Sequence, residues 1–140
     1  MPKIPSWRKT NTKDHFVFYN ANPKGRKSVG DCVCRAITKG VDKPYLEVYD
    51  SLYRIGRELC SPPNWEDSYE KYLLSNGFVR CKQPRKNDNT RYTVKEFCKM
   101  HKKGRYVLNT TNHLTCVVDG QCYDTWNCSE NVVGVYWEKR

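Results

Sequence analysis

The sequence predicts an α+β domain, with helices in its first two-thirds and an antiparallel sheet at its end. Helical spacing and helix start and stop signals fill residues 32–104, and four β-prone runs fill residues 105–137. Asp119-Gly120 joins two of those runs, and this dipeptide between apolar runs is a strong hairpin signal. Helices followed by an antiparallel sheet define the class. The length of 140 residues predicts a single domain over residues 1–140, with residues 1–14 as a flexible N-terminal arm.

The aromatic run 15–19 predicts the first strand, and four helices follow it. The first helix is expected at residues 32–39 with Gly40 as the stop, and the second at 42–59, where a capping Asp42 and Pro44 open it. The third is expected at 64–75, and the fourth runs from the capping box 93–96 to about Gly104. The remaining strands are expected at residues 78–81, 105–109, 114–118, 121–125 and 132–137.

Apolar stripes on the last three helices predict which of their side chains face the core. The expected inward residues are Tyr45, Tyr49, Leu52, Ile55 or Gly56, Trp65, Tyr69, Tyr72, Leu73, Val94, Phe97 and Met100.

The eight cysteines indicate free thiols rather than a disulfide framework. The basic N-terminus is followed by no apolar leader segment, and no stretch is long and apolar enough to span a bilayer. We therefore expect a cytoplasmic protein with no membrane partner, in which cysteines stay reduced. Cys60, Cys81, Cys98 and Cys128 are interpreted as small buried hydrophobic residues.

The net charge of +10 has two interpretations. Basic runs at residues 24–27, 82–86 and 99–105 favour either attraction to nucleic acid or an acidic protein, or solvated faces that keep a small protein in solution. No nucleic-acid-binding motif accompanies the charge, so a nucleic-acid partner is not favoured.

Cys32 is the candidate nucleophile. It follows a Gly-Asp turn signal and precedes good helix formers, which places it in the first turn of a helix. Unpaired N–H groups and the helix dipole stabilise a thiolate there. Cys34 would point away from Cys32 into the core. Arg35, one turn on, would hold a structural carboxylate or face an acidic group of a substrate, and the structural role is favoured.

The hairpin register supplies a base and an orienting group. If Asp119-Gly120 is a two-residue loop, Thr115 pairs with Asp124, and His113 lies diagonally from Asp124 on the same face. A nucleophilic thiol needs an imidazole to take its proton and a third group to fix the imidazole tautomer. Asn127 is the other candidate orienting residue, but it reaches His113 only if a bulge intervenes.

Other residues complete the expected site. The backbone N–H of Cys32 would be one oxyanion donor, and Asn20 or Asn22 the second. Trp126 would shield the Asp-imidazole hydrogen bond from water or close an edge of the core. The cysteine spacings, Cys-x-Cys and Cys-x5-Cys, are not those of a structural zinc site, so we expect no metal and no cofactor.

Two blocks of sequence carry a resemblance to a known family. Residues 30–37 (GDCVCRAI) with the helix from 44–49 (PYLEVY), and residues 113–120 (HLTCVVDG) with 123–127 (YDTWN), resemble small bacteriophage-encoded cysteine peptidases with a papain-like fold. The resemblance runs from about Pro23 to Trp137. It implies a papain-like core in which Cys32 is the nucleophile, His113 the base and Asp124 the orienting residue.

The residues and the resemblance together predict a thiol hydrolase. The expected substrate is a peptide or isopeptide bond in a protein, with acidic substrates among the candidates, and the oligomeric state is open. A deamidase or transglutaminase would use the same triad through a thioester. The alternative from another class is a catalytically silent basic binding protein of a phage, directed to nucleic acid or to a host defence protein.

Overall fold

The computed structural model describes residue 5 and residues 9–140. Over these residues the chain is of the α+β class, with four helices and one six-stranded sheet, as predicted. The elements in chain order are β1 (Phe16–Phe18), α1 (Cys32–Val41), α2 (Tyr45–Leu59), α3 (Glu66–Ser75), β2 (Phe78–Cys81), α4 (Val94–Met100), β3 (Arg105–Thr110), β4 (His113–Val118), β5 (Gln121–Asp124) and β6 (Tyr136–Lys139).

The sheet has the strand order β1-β5-β4-β3-β6-β2. The predicted hairpin is confirmed: Val118 pairs with Gln121 across Asp119-Gly120, whose two positive φ angles suit a two-residue turn. The expectation of a wholly antiparallel, C-terminal sheet is wrong at β1, which pairs with β5 in parallel. A parallel partner needs a long crossover, and the three helices between β1 and β2 are part of the chain that connects β1 to β5.

The sheet separates two apolar clusters. On one face, α1, α2 and α3 pack against strand residues that include Val107, Leu114 and Trp137. On the other face, α4 packs against a second set that includes Leu108 and Val117. Adjacent residues of a strand thus belong to opposite layers, as pleating requires. At the start of β4, Leu114 therefore faces α1, whereas His113 lies on the face of the hairpin that carries Asp124.

Gly40 does not end the first helix. The helix continues to Val41, and Asp42 is the left-handed cap with φ 58°. A Cβ atom on Gly40 would lie 2.8 Å from Cγ2 of Val107, so glycine lets α1 approach β3 closely. The capping box that begins α4 is confirmed, but this helix ends at Met100, well before Gly104.

Several core assignments on the helices are wrong. Tyr49, Trp65 and Met100 are exposed, because α2 buries the adjacent stripe through Val48, α3 begins only after residue 65, and α4 is short. The other predicted inward residues are buried or half-buried. Among the four cysteines interpreted as buried, Cys98 and Cys128 are buried, Cys81 is half-buried and Cys60 is exposed.

The segment before β1 is paired to the fold in part. Asn11 forms two backbone hydrogen bonds of 2.9 Å with Phe16, and its side chain donates to Asp14. Residues 1–4 and 6–8 of the predicted arm lie outside the described residues. No helix in the described part of the chain has the length and apolar character to cross a membrane.

Candidate active site

Helix α1 begins at Cys32, and the residues before it leave its N-terminus uncapped. Gly30 turns the chain with φ 68°, and Asp31 precedes the helix without capping it. The Asp31 carboxylate is held elsewhere: it pairs with Arg35 and accepts hydrogen bonds from the Tyr45 hydroxyl at 2.9 Å and the Asn22 amide. The structural role expected for Arg35 is thus observed. The first-turn N–H groups beside Cys32 are not engaged by a side-chain cap.

The pKa of the Cys32 thiol is lowered. Burial alone would raise it, but a hydrogen bond with His113, the backbone N–H of Leu114 and the nearby charges of His113 and Arg35 outweigh that effect. Cys34 behaves in the opposite way, since burial raises its pKa to about 11. Two cysteines on the same turn therefore differ in acidity, and Cys32 is the one whose thiolate form is stabilised.

His113 forms a close hydrogen bond with Asp124. Its Nε2 lies 2.6 Å from Oδ2 of the carboxylate, as the hairpin register predicts for diagonal neighbours. Oδ2 also accepts a hydrogen bond from the Thr115 hydroxyl at 2.7 Å, and Oδ1 accepts one from the backbone N–H of Thr125. With Nε2 committed to the carboxylate, Nδ1 is the nitrogen available to the thiol of Cys32.

Cys32, His113 and Asp124 together favour an ion pair between the thiol and the imidazole. Burial would lower the pKa of His113, but the hydrogen bonds to Asp124, Cys128 and Cys32 raise it to about 11. Burial would raise the pKa of Asp124, but the imidazole, Thr115 and the Thr125 N–H together lower it. A lowered thiol pKa beside a raised imidazole pKa favours the thiolate-imidazolium pair over the neutral thiol-imidazole pair.

Trp126 lies beside the imidazole, where the sequence expectation puts it. The two ring centroids are 4.8 Å apart, and the indole is 38% exposed. It covers His113 from the solvent side without being part of the core. A small pocket at Cys32 is lined by Tyr19, Leu114, Tyr123 and Asp124, among others.

The side chains of the predicted asparagines form their hydrogen bonds with groups other than Cys32 and His113. The Asn20 amide donates to the backbone carbonyl of Arg26, and the Asn22 amide donates to Asp31, so both shape the loop before α1. Asn127 donates to Asp14 and accepts from the N–H of Ser129. Asp124, not Asn127, is the group in contact with His113.

Cys128 joins the site from the buried side. Its thiol lies 3.6 Å from Oδ2 of Asp124 and 3.7 Å from the Cys122 sulfur. The donor atoms of His113, Asp124 and Cys128 lie within 4.8 Å of one another, which is close enough to consider a metal. The contact with Cys122, followed by burial, raises the pKa of Cys128, so its protonated thiol donates to the carboxylate. We interpret the cluster as a hydrogen-bond network around the carboxylate.

Sequence reasoning missed four contributions to the site. The hairpin register placed Thr115 on the correct face, but nothing in the sequence assigned its hydroxyl to Asp124. Tyr19 reaches the pocket because β1 pairs in parallel with β5, and its N–H donates to the Asp124 carbonyl. No local sequence pattern indicates this pairing, the proximity of Cys128 to Asp124, or the hydrogen bond from the Leu114 N–H to Cys32.

Comparison of the chain with protein-family models, with curated proteins and with solved structures finds no match.

Proposed function

We propose that this protein is a cysteine hydrolase of papain-like type that cleaves peptide or isopeptide bonds through a thioester intermediate. The observation that carries the proposal is the 2.6 Å hydrogen bond between His113 and Asp124, together with the interaction of His113 with the Cys32 thiol that lowers the pKa of that thiol. The nucleophile stands at an uncapped helix N-terminus, its base has one nitrogen free for it, and a buried carboxylate fixes the tautomer of that base.

In the first half of the reaction, the Cys32 thiolate attacks the carbonyl carbon of the substrate. The negative charge that develops on the carbonyl oxygen lies near the N-terminus of α1, where the Cys32 N–H and the helix dipole stabilise it. The His113 imidazolium donates its Nδ1 proton to the leaving amine. The C–N bond breaks, and an acyl thioester on Cys32 and a neutral imidazole remain.

In the second half, water attacks the thioester. Neutral His113 takes a proton from the water through Nδ1 while Nε2 keeps its proton and its hydrogen bond to Asp124. The C–S bond breaks, the carboxylic acid leaves, and the thiolate and imidazolium are restored. An amine in place of water would give a transglutaminase, and a carboxamide substrate would give a deamidase.

The resemblance of residues 30–37 and 113–127 to phage-encoded peptidases supports a proposal about where the protein acts. We place the protein in the cytoplasm of a phage-infected cell, since the reaction needs Cys32 as a reduced thiol. The expected partner is a protein or peptide substrate, and no step above uses a cofactor.

An electrophilic peptide probe tests the proposal directly. Cys32→Ala abolishes covalent labelling, and Cys34→Ala, the matched control two residues away, retains it. Labelling that survives Cys32→Ala and disappears with Cys34→Ala would overturn the assignment. Salt-sensitive binding to a nucleic acid, unchanged by Cys32→Ala and without labelling in the unmodified protein, would instead favour the basic binding protein.

A further inference from the structure

A large cleft lies beside the helix that carries the nucleophile. It runs between the loop before α1 and the outer face of α2, and its lining includes Gly30, Asp31 and Val33, which flank Cys32 in the chain. We call this cleft the α2 groove. Cys32 itself lines a separate small pocket, whereas the α2 groove is lined by Val33 and Cys34, the next two residues of α1.

The wall formed by α2 is apolar and aromatic although it faces solvent. Tyr53 is 50% exposed and Leu46 is 60% exposed, and Tyr49 lies between them on the same face. The rings of Tyr45, Tyr49 and Tyr53 form a row, with centroids 6.2 Å and 4.6 Å apart. An exposed apolar surface beside a site is typical of a binding surface.

The opposite wall is cationic. Lys24 and Arg26 line the groove from the loop, and neither side chain forms an ion pair within the described residues. The carboxylate in the lining, Asp31, is already paired with Arg35. The groove therefore offers uncompensated positive charge opposite an apolar wall.

The row of rings distinguishes between two anionic ligands. The ring planes of Tyr49 and Tyr53 are inclined by 31° with their centroids 4.6 Å apart, so these two rings cover part of each other's faces. Bases of a single-stranded nucleic acid stack on free aromatic faces, whereas leucine or phenylalanine side chains pack against ring edges as well. The arrangement favours a polypeptide.

We infer that the α2 groove binds the substrate of Cys32, as an extended polypeptide segment that carries bulky apolar residues next to carboxylates. The inference rests on the proposed function and specifies its substrate class. Apolar side chains would lie on the row of Tyr45, Tyr49 and Tyr53, and the carboxylates would face Lys24 and Arg26. Charge complementarity of this kind increases specificity and the rate of encounter.

Binding is measured by fluorescence anisotropy on the Cys32→Ala protein, which removes turnover. The probes are a labelled flexible decapeptide with two leucines and four glutamates, the same peptide with lysines in place of the glutamates, and a thymidine decanucleotide. We expect the acidic peptide to bind at least about tenfold more tightly than the other two at physiological salt.

Two charge-reversal variants locate the site. Lys24→Glu with Arg26→Glu weakens binding of the acidic peptide at least about tenfold, whereas Lys102→Glu with Lys103→Glu, which changes the net charge equally at exposed positions away from the groove, changes it less than about threefold. Tyr49→Ser with Tyr53→Ser also weakens binding. Equal losses in the two charge-reversal variants, or tighter binding of the oligonucleotide, overturn the inference.

Alkylation of Cys32 by iodoacetamide separates this inference from the proposed function. The groove substitutions, made in the chain that retains Cys32, leave the alkylation rate unchanged if only substrate binding is affected. A reactive Cys32 without binding of the acidic peptide refutes the groove alone. An unreactive Cys32 with intact binding refutes the hydrolase and the assignment of the bound peptide as its substrate.

Discussion

Replacing Asp124 by asparagine should remove the reactivity of Cys32 while keeping the shape of the site. The backbone N–H of Thr125 donates to Oδ1, so the asparagine oxygen will occupy that position and its NH2 group will face His113. Nε2 must then accept a hydrogen bond, and the imidazole proton moves to Nδ1, the nitrogen needed as the base for Cys32. The substitution therefore favours the wrong tautomer and removes the charge that stabilises the imidazolium.

The size of the effect follows from the lost interaction. Nε2 and Oδ2 are 2.6 Å apart with both side chains at least nine-tenths buried, and a hydrogen bond to a charged group contributes about 1.5–3 kcal/mol. At about 1.4 kcal/mol for each factor of ten, the thiolate-imidazolium population falls by about tenfold to about 150-fold. We expect the rate of Cys32 alkylation at pH 6 to fall by the same factor.

Site-resolved mass spectrometry of iodoacetamide-treated protein measures this rate. Asn127→Ala is the control, because the Asn127 side chain contacts Asp14 and Ser129 rather than His113, and we expect its rate to stay within about threefold of the unmodified protein. An unchanged rate in Asp124→Asn, or an equal loss in Asn127→Ala, would refute the role assigned to Asp124.

Two further predictions test the shield of the site and the packing of the fold. Trp126→Ala should slow Cys32 alkylation at pH 6 severalfold, because water then competes for the buried hydrogen bond of His113. Trp126→Phe should retain most of the rate. Equal rates in both variants and the unmodified protein would contradict the shielding role. Gly40→Ala should lower the free energy of unfolding, measured in urea, by about 1–3 kcal/mol, because the new methyl group meets Val107. The same substitution should cost less in a Val107→Ala background. Fully additive losses in the double variant would contradict the contact.

Local signals predicted most of the fold. Capping and turn residues gave the starts of α1 and α4 and the Asp119-Gly120 hairpin, since these features depend on a few neighbouring residues. The parallel pairing of β1 with β5 and the passage of α1 through Gly40 depend on contacts between distant segments. No local pattern encodes them, and Gly40 in particular resembles a helix stop unless Val107 is known to lie against it.

In the candidate site, too, contacts within one hairpin could be predicted and contacts between distant segments could not. His113 and Asp124 lie on adjacent strands of one hairpin, so counting residues from the turn was enough to place them in contact. The oxyanion candidates Asn20 and Asn22 lie in an irregular loop, where residue type alone does not give the direction of a side chain. Cys128 resembled a packing residue because its proximity to Asp124 arises from the loop after β5.

The pH dependence of Cys32 alkylation tests the central claim most directly. Its lowered pKa means that the thiolate is lost only as the pH falls below the ordinary range for cysteine, so we expect rapid alkylation well below pH 8 that disappears in the His113→Ala variant. The exposed Cys60 provides a comparison within the same molecule. A rate at Cys32 that rises only near pH ~8.5, as for an unperturbed thiol, and that is the same in His113→Ala would contradict the account.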